Sequence, residues 1–140
     1  MDNLGDNPAD NHGALVLIVD DVEAIVDELL TFLLLQGIPA IGAGTLGEAV
    51  EILENSADVR VIACDVRLHG ESGLDIIPLI RNHGSLQGRD FRYVFITGDP
   101  MYVDIPATEP GYRVLTKPVQ PRALHSLLKA LLEDDPDGRT

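Results

Sequence analysis

The stretch VRVIACDVRLHGESG, residues 59–73, decides the fold of this chain. Its first half, Val59–Cys64, is almost entirely apolar and ends on Asp65, and a polar stretch with two glycines follows. A short, nearly continuous apolar run is typical of a strand that is buried on both faces, as the strands of parallel sheets are. A carboxylate that directly follows such a strand lies at the carboxyl edge of the sheet, where open α/β sheets bind their ligands.

Three other apolar runs end on polar residues in the same way. They are Leu15–Val19, followed by Asp20 and Asp21; Tyr93–Ile96, followed by Thr97; and Val114–Leu115, followed by Thr116 and Lys117. Parallel strands bring their carboxyl ends to one edge of the sheet, so these side chains are predicted to converge. Three carboxylates, a hydroxyl and a lysine are the groups needed to place a phosphoryl group on an aspartate with a divalent metal.

Segments with helical spacing separate the predicted strands. The predicted helices are Val22–Gln36, Thr45–Asn55, Gly73–Asn82 and Pro121–Glu133, and the remaining predicted strand is Ile38–Gly44. Thr45 with Glu48 three residues later has the pattern of a capping box. The order is (βα)5, which predicts an α/β fold with a doubly wound, five-stranded parallel sheet. The fourth helix would lie in Asp99–Gly111, where three prolines predict a short, distorted or mobile segment.

Length and composition restrict the class of protein. The 140 residues suit one domain at 14–134, between a flexible leader at 1–13 and an acidic tail at 135–140, and leave no room for an output domain. The net charge of −13 and only two lysines argue against binding to nucleic acid or to an anionic membrane. The single cysteine, Cys64, fits a reducing, cytoplasmic location, and no apolar run is long enough to span a membrane.

Four motifs carry a resemblance to a known family. LVLIVDD, CDVRLHGESG, FITGD and LTKP follow one another in the order and at the spacings found in the receiver domain of two-component response regulators. The resemblance covers Ala14 to Leu132. It implies the flavodoxin-like receiver fold, with a parallel sheet of strand order 2-1-3-4-5.

The resemblance also implies a metal site and a phosphoryl site. Asp65 corresponds to the phosphoacceptor, and Asp20, Asp21 and Asp65 would bind Mg²⁺ together with the backbone carbonyl of Arg67. Hard oxygen ligands of this kind suit Mg²⁺. The hydroxyl of Thr97 and the ammonium group of Lys117 correspond to the groups that contact the phosphoryl group. The Lys117–Pro118 bond corresponds to one that is usually cis in the family.

Two departures from the family pattern affect the expected mechanism. His69 stands where the family usually has proline, and Val114 stands where many receivers carry an aromatic switch residue. Tyr112 lies two residues earlier on the same strand face, so a coupled threonine–aromatic rotation does not carry over. A branch of receivers without the aromatic has an F-A-T-G type sequence, which FITG at Phe95–Gly98 partly matches. We therefore expect activation by ordering or remodelling of the Asp99–Gly111 segment.

The resemblance predicts a single-domain response regulator. A sensor histidine kinase or a histidine phosphotransfer protein would donate the phosphoryl group to Asp65. The signal would then pass to a downstream protein target or by onward phosphotransfer. Such a protein is not an enzyme beyond its own phosphorylation and slow dephosphorylation, and we expect a monomer or weak homodimer.

Two other functions are compatible with parts of the sequence. One is a pseudo-receiver, a binding module that is not phosphorylated. The other is a small phosphatase of the haloacid dehalogenase type, although that family has D-x-D after its first strand and this chain has VDDVEA. Phe32 and leucines 33–35 make the end of the first helix apolar nearly all round, which indicates deep burial, a docking face for a kinase or phosphotransfer partner, or a dimer contact.

Overall fold

The computed structural model of the chain describes residues 13–99 and 112–133. The predictions for most of the leader, for the fourth helix within Asp99–Gly111 and for the acidic tail fall outside these residues. Within the described ranges, no helix is long and apolar enough to cross a membrane.

Five parallel strands form the central sheet, and two short strands form a separate antiparallel hairpin. In chain order they are β1 (Val16–Val19), β2 (Ala40–Ala43), β3 (Val61–Asp65), β4 (Arg67–Leu68), β5 (Glu71–Ser72), β6 (Arg92–Thr97) and β7 (Tyr112–Thr116). The sheet order is β2-β1-β3-β6-β7, and β4 pairs with β5. The predicted doubly wound α/β fold with its strand order is confirmed, whereas the β4–β5 hairpin was not predicted.

In the described ranges, four helices pack on the sheet. They are α1 (Glu23–Leu35), α2 (Leu46–Glu54), α3 (Ile76–Arg81), which follows a 3-10 turn at Gly73–Asp75, and α4 (Pro121–Glu133). The predicted cap of α2 is confirmed, because the Glu48 N–H donates to Thr45 Oγ1 at 3.1 Å. The predicted third helix is shorter than expected, since its first turn is a 3-10 turn whose Leu74 N–H donates to Ser72 Oγ.

The two faces of the sheet form two apolar layers. Alternate side chains such as Leu17, Ile62 and Phe95 pack with α2 and α3, and their neighbours such as Ile18 and Ala63 pack with α1 and α4. Strands covered on both faces bury successive residues, which is why β1 and β3 appear in the sequence as unbroken apolar runs.

Helix α1 is less buried than its sequence suggests. Val26, Leu29 and Leu33 are its buried residues, spaced as one helical face. Val22 and Ile25, which share the predicted apolar spacing, are exposed, and Leu34 and Leu35 are 67% and 77% exposed. Of the two interpretations for the end of this helix, deep burial is correct for Leu33 and wrong for these two leucines, because one sheet face covers only one side of the helix.

Candidate functional site

Three carboxylates meet at the carboxyl edge of the sheet. Strands β1 and β3 pair in parallel with Val19 opposite Cys64, so the next residues, Asp20 and Asp65, lie side by side. The carboxylate oxygens of Asp20, Asp21 and Asp65 lie within 4.8 Å of one another. Asp20 and Asp65 are buried, at 6% and 2% exposure, and Asp21 is exposed. The predicted acid cluster is therefore present, open to solvent on the Asp21 side.

Asp20 is both a member of the cluster and a local helix cap. Its Oδ1 accepts a hydrogen bond from the Val22 N–H at 2.8 Å, just before α1. Burial raises the pKa of Asp20, and the nearby charges of Asp65 and Asp21 add to this effect. The Val22 hydrogen bond and the positive charge of Lys117 lower the pKa, but they do not outweigh burial. A cation at this position would relieve that unfavourable desolvation.

Lys117 supplies the positive charge of the site. It follows β7, and its backbone N–H donates to the Thr97 carbonyl at 2.8 Å, which fixes the end of β7 beside the end of β6. The Nζ donates to Asp65 Oδ2 at 2.9 Å, while the lysine side chain stays 39% exposed. The predicted cis bond between Lys117 and Pro118 is confirmed.

Thr97 ends β6 with a buried side chain, at 8% exposure. Its Oγ1 accepts a hydrogen bond from the Asp99 N–H at 3.1 Å. The hydroxyl is thus engaged by the backbone that begins the segment 99–111. It also lines the same cavity as Asp65, which has a volume of about 550 Å³.

The β4–β5 hairpin forms the wall of the site after Asp65. The Arg67 N–H donates to Asp65 Oδ1 at 3.3 Å, and Arg67 lines the cavity with Asp65 and Lys117. Gly70 makes the turn with φ of 76°, a left-handed conformation that favours glycine. Gly73 lies so close to the Asp65 carbonyl that a Cβ there would clash with it. These two glycines therefore permit the turn of the hairpin.

One contact near the site was missed in the sequence, whereas the burial of Cys64 in its strand was predicted. Glu71 Oε2 accepts a hydrogen bond from the Leu46 N–H at 3.1 Å, linking the hairpin to the N-terminus of α2. Cys64 is fully buried directly before Asp65, and its Sγ lies 3.4 Å from the Asp65 carbonyl oxygen. Burial raises the pKa of this thiol, and the charges of Asp65, Asp20 and Glu71 raise it further. Nothing in residue spacing indicates a bond between Glu71 and a helix 25 positions earlier.

The structure brings together all the predicted site residues, which are Asp20, Asp21, Asp65, Arg67, Thr97 and Lys117. That the Arg67 carbonyl binds metal, and that Thr97 and Lys117 contact a phosphoryl group, stay predictions. His69 lines a shallower cavity with Asp21 and Lys117 at the solvent side of the acid cluster.

Comparison with known families identifies the family to which this fold belongs. The model of the response regulator receiver domain matches residues 16–129. The chain belongs to the response regulator receiver domain family. Among curated protein sequences, none gives a significant match.

Solved structures of receiver domains are similar along most of the chain. The receiver domain of PhyR from Erythrobacter litoralis is 25% identical, with a TM-score of 0.71, over 92% of this chain and 97% of that one. A response regulator receiver protein from Pseudomonas putida is 28% identical, with a TM-score of 0.65, over 83% of this chain and 95% of that one. A CheY-like receiver domain from Methylobacillus flagellatus, at 20% identity and a TM-score of 0.71, supports the fold alone; the match covers 84% of this chain and 97% of that one.

Proposed function

We propose that this receiver domain accepts a phosphoryl group on Asp65 from a phosphohistidine of a sensor histidine kinase or histidine phosphotransfer protein. In this step the N–P bond of the phosphohistidine breaks, an O–P bond to a carboxylate oxygen of Asp65 forms, and the histidine leaves as neutral imidazole after gaining a proton. The observation that carries the proposal is the position of Asp65, a buried carboxylate that lines an open cavity and is paired with Lys117.

The donor set of the acid cluster fits Mg²⁺. Its members are carboxylate oxygens within 4.8 Å of one another, and Mg²⁺ prefers hard oxygen ligands while it keeps some of its water. Asp20, Asp21 and Asp65 would hold the ion, with the Arg67 carbonyl as a further ligand. A bound Mg²⁺ supplies charge neutralisation for the phosphoryl oxygens.

Lys117 stabilises the reacting group through its mobile charge. In the unphosphorylated site its ammonium pairs with Asp65 Oδ2. Formation of the acyl phosphate removes the carboxylate charge of Asp65, so the ammonium then pairs with a phosphoryl oxygen instead. The 39% exposure of the lysine side chain leaves it room for this movement.

Thr97 connects the site with the segment that follows it. In the unphosphorylated site the Thr97 hydroxyl donates to the Asp99 carbonyl oxygen at 3.4 Å. If the hydroxyl donates to a phosphoryl oxygen instead, that bond to Asp99 is lost. Because Asp99 begins the segment 99–111, the loss of this bond changes the constraint on that segment. We propose this as the origin of the signal, in place of an aromatic switch, since Val114 carries no ring.

The proposed setting follows from the family. The protein acts in the cytoplasm, signals by contact with a downstream protein or by onward phosphotransfer, and is not an enzyme apart from its own phosphorylation and slow dephosphorylation.

Incubation with acetyl phosphate and Mg²⁺, followed by intact-mass measurement, tests the proposal. Wild type and Asp75→Asn, an exposed aspartate in the 3-10 turn, should gain the mass of one phosphoryl group, whereas Asp65→Asn should gain none. An unlabelled wild type would favour the binding module, and label on Asp65→Asn at the wild-type rate would refute the site. Steady turnover of p-nitrophenyl phosphate would instead indicate a phosphatase.

A further inference from the structure

Few contacts hold the β4–β5 hairpin in place. Each of its strands has two residues, and a two-stranded hairpin of this size is marginal in water. The Val66 N–H donates to the Ile96 carbonyl, and the Gly73 N–H donates to the Val66 carbonyl at 2.7 Å, so both ends of the hairpin are anchored near the sheet. Leu68 is buried, at 3% exposure. The second strand, β5, needs an additional contact.

Glu71 supplies that contact from the second strand. Its Oε2 accepts the Leu46 N–H at 3.1 Å. Leu46 is the first residue of α2, so its N–H has no partner within the helix. A carboxylate at a helix N-terminus is also favoured by the helix dipole. The bond therefore satisfies a group of α2 and fixes β5 with one interaction.

The helix end that Glu71 binds is itself attached to the acid cluster. The Asp20 N–H donates to the Ala43 carbonyl at 3.0 Å, which joins the end of β1 to the end of β2 directly before α2. A Cβ added at Gly44, the next residue, would be in ordinary van der Waals range of the Asp20 carbonyl oxygen, at 4.0 Å. The Glu71 bond thus closes a ring of contacts that runs from the hairpin through the start of α2 to Asp20.

We propose that Glu71 is a positioning residue of the metal site. It holds the hairpin, and with it Arg67, at a fixed place relative to Asp20, so that the ligands after β1 and after β3 stay within reach of one cation. This inference rests on the proposed Mg²⁺ site. It explains an acidic side chain in the hairpin without placing that side chain among the metal ligands.

If Glu71 only stabilised the start of α2, its loss would have the same effect as the loss of another cap of that helix. Helix α2 offers such a cap as a matched control. Thr45 caps the same helix by accepting the Glu48 N–H at 3.1 Å, but no hydrogen bond joins its side chain to the hairpin within the described part of the chain. Thr45→Ala and Glu71→Ala should therefore both weaken the start of α2. Only Glu71→Ala should release the hairpin.

The first measurement is the Mg²⁺ affinity of the unphosphorylated proteins, obtained by titration with Mg²⁺ while amide NMR chemical shifts are monitored. Glu71→Ala should bind Mg²⁺ about tenfold more weakly than wild type, as is typical when an outer-shell partner of a metal ligand is lost. Thr45→Ala should bind as wild type does. Glu71→Gln keeps an oxygen that can accept the Leu46 N–H and should retain most of the affinity. Equal losses in Glu71→Ala and Thr45→Ala, or an equal loss in Glu71→Gln, would overturn the proposal.

Amide hydrogen exchange without metal provides a second measurement that does not depend on phosphorylation or Mg²⁺. The Gly73 amide, which closes the hairpin, should exchange faster in Glu71→Ala and at the wild-type rate in Thr45→Ala. Unchanged Gly73 exchange in Glu71→Ala would overturn the positioning role even if Mg²⁺ binds. If the wild type bound no Mg²⁺, the proposed metal site would be refuted. Faster Gly73 exchange in Glu71→Ala would still support the link between the hairpin and α2.

Discussion

Replacing Lys117 by methionine tests the electrostatics of the site most directly. Methionine keeps much of the apolar stem and removes the charge that pairs with Asp65 at 2.9 Å. Two unit charges at that separation attract by about 1.4 kcal/mol in bulk water and by about 5.7 kcal/mol at an effective dielectric constant of about 20. The lysine side chain is 39% exposed, while that of Asp65 is only 3% exposed. Solvent screening therefore favours the lower part of this range, and we expect a loss of about 2 kcal/mol.

Urea unfolding in the presence of EDTA measures this loss. Lys117→Met should unfold at lower urea than wild type with an unchanged slope, because the folded state keeps a buried carboxylate among two others without its counter-charge. Lys129→Met removes the only other lysine, which is exposed on α4, and should be close to wild type.

Magnesium should restore the stability of the same variant. A cation in the acid cluster replaces the missing positive charge, and it no longer meets repulsion from the ammonium group. Lys117→Met should therefore bind Mg²⁺ more tightly than wild type and recover most of its stability when the metal is added. A variant that is as stable as wild type in EDTA, or one whose stability Mg²⁺ does not restore, would refute this account of the site.

Three further variants test other parts of the structure. In metal-free protein, Asp20→Asn should be more stable than wild type at neutral pH. A carboxyl whose pKa is raised in the folded state contributes stability at pH values below its ordinary pKa of 3.8, and this contribution is lost as the pH rises through the folded pKa. Urea unfolding as a function of pH should therefore show that the extra stability of Asp20→Asn shrinks in acid. Arg89→Ala should lose about 2 kcal/mol in urea unfolding, because the guanidinium donates to the carbonyls at the end of α2 and in the loop after it. Gly73→Ala should lose about 3 kcal/mol or fail to fold, as measured by thermal unfolding, because its methyl group overpacks against the Asp65 carbonyl.

Exposed positions provide matched controls for these variants. The controls are Asp27→Asn on α1, Arg122→Ala on α4 and Gly84→Ala, where a Cβ would meet nothing within 4 Å. Each control should stay within about 0.5 kcal/mol of wild type. An unchanged Asp20→Asn, Arg89→Ala or Gly73→Ala protein would contradict the contact assigned to that residue.

The sequence predicted the sheet and the site for the same physical reason. Strands buried on both faces require continuous apolar runs, and those runs end where the chain returns to water. Because the strands are parallel, the polar residues that follow them lie at one edge of the sheet. Asp20, Asp65, Thr97 and Lys117 could be located in this way. The resemblance to receivers then predicted which of these carboxylates would accept a phosphoryl group.

The parts that the sequence did not predict depend on contacts between distant residues or on partial coverage by neighbours. The hydrogen bond between Glu71 and Leu46 joins residues 25 positions apart. A single glutamate forms no sequence pattern that would predict such a bond. The exposure of Ile25 and Leu34 depends on how far the sheet extends under α1, which helical spacing alone does not reveal. The 3-10 turn at Gly73 follows from the close approach of that glycine to Asp65, another non-local contact.

The position of Cys64 gives this molecule a built-in reporter of its own opening. It is the only cysteine in the chain, its side chain is fully sealed, and its raised pKa keeps it as an unreactive thiol while the sheet stays closed. A thiol reagent in solution can therefore label only molecules in which the layer that covers Cys64, which includes Gly73 at the end of the hairpin, has opened. The labelling rate measures how often this layer opens, without a probe being added, and any ligand that stabilises the acid cluster should slow it.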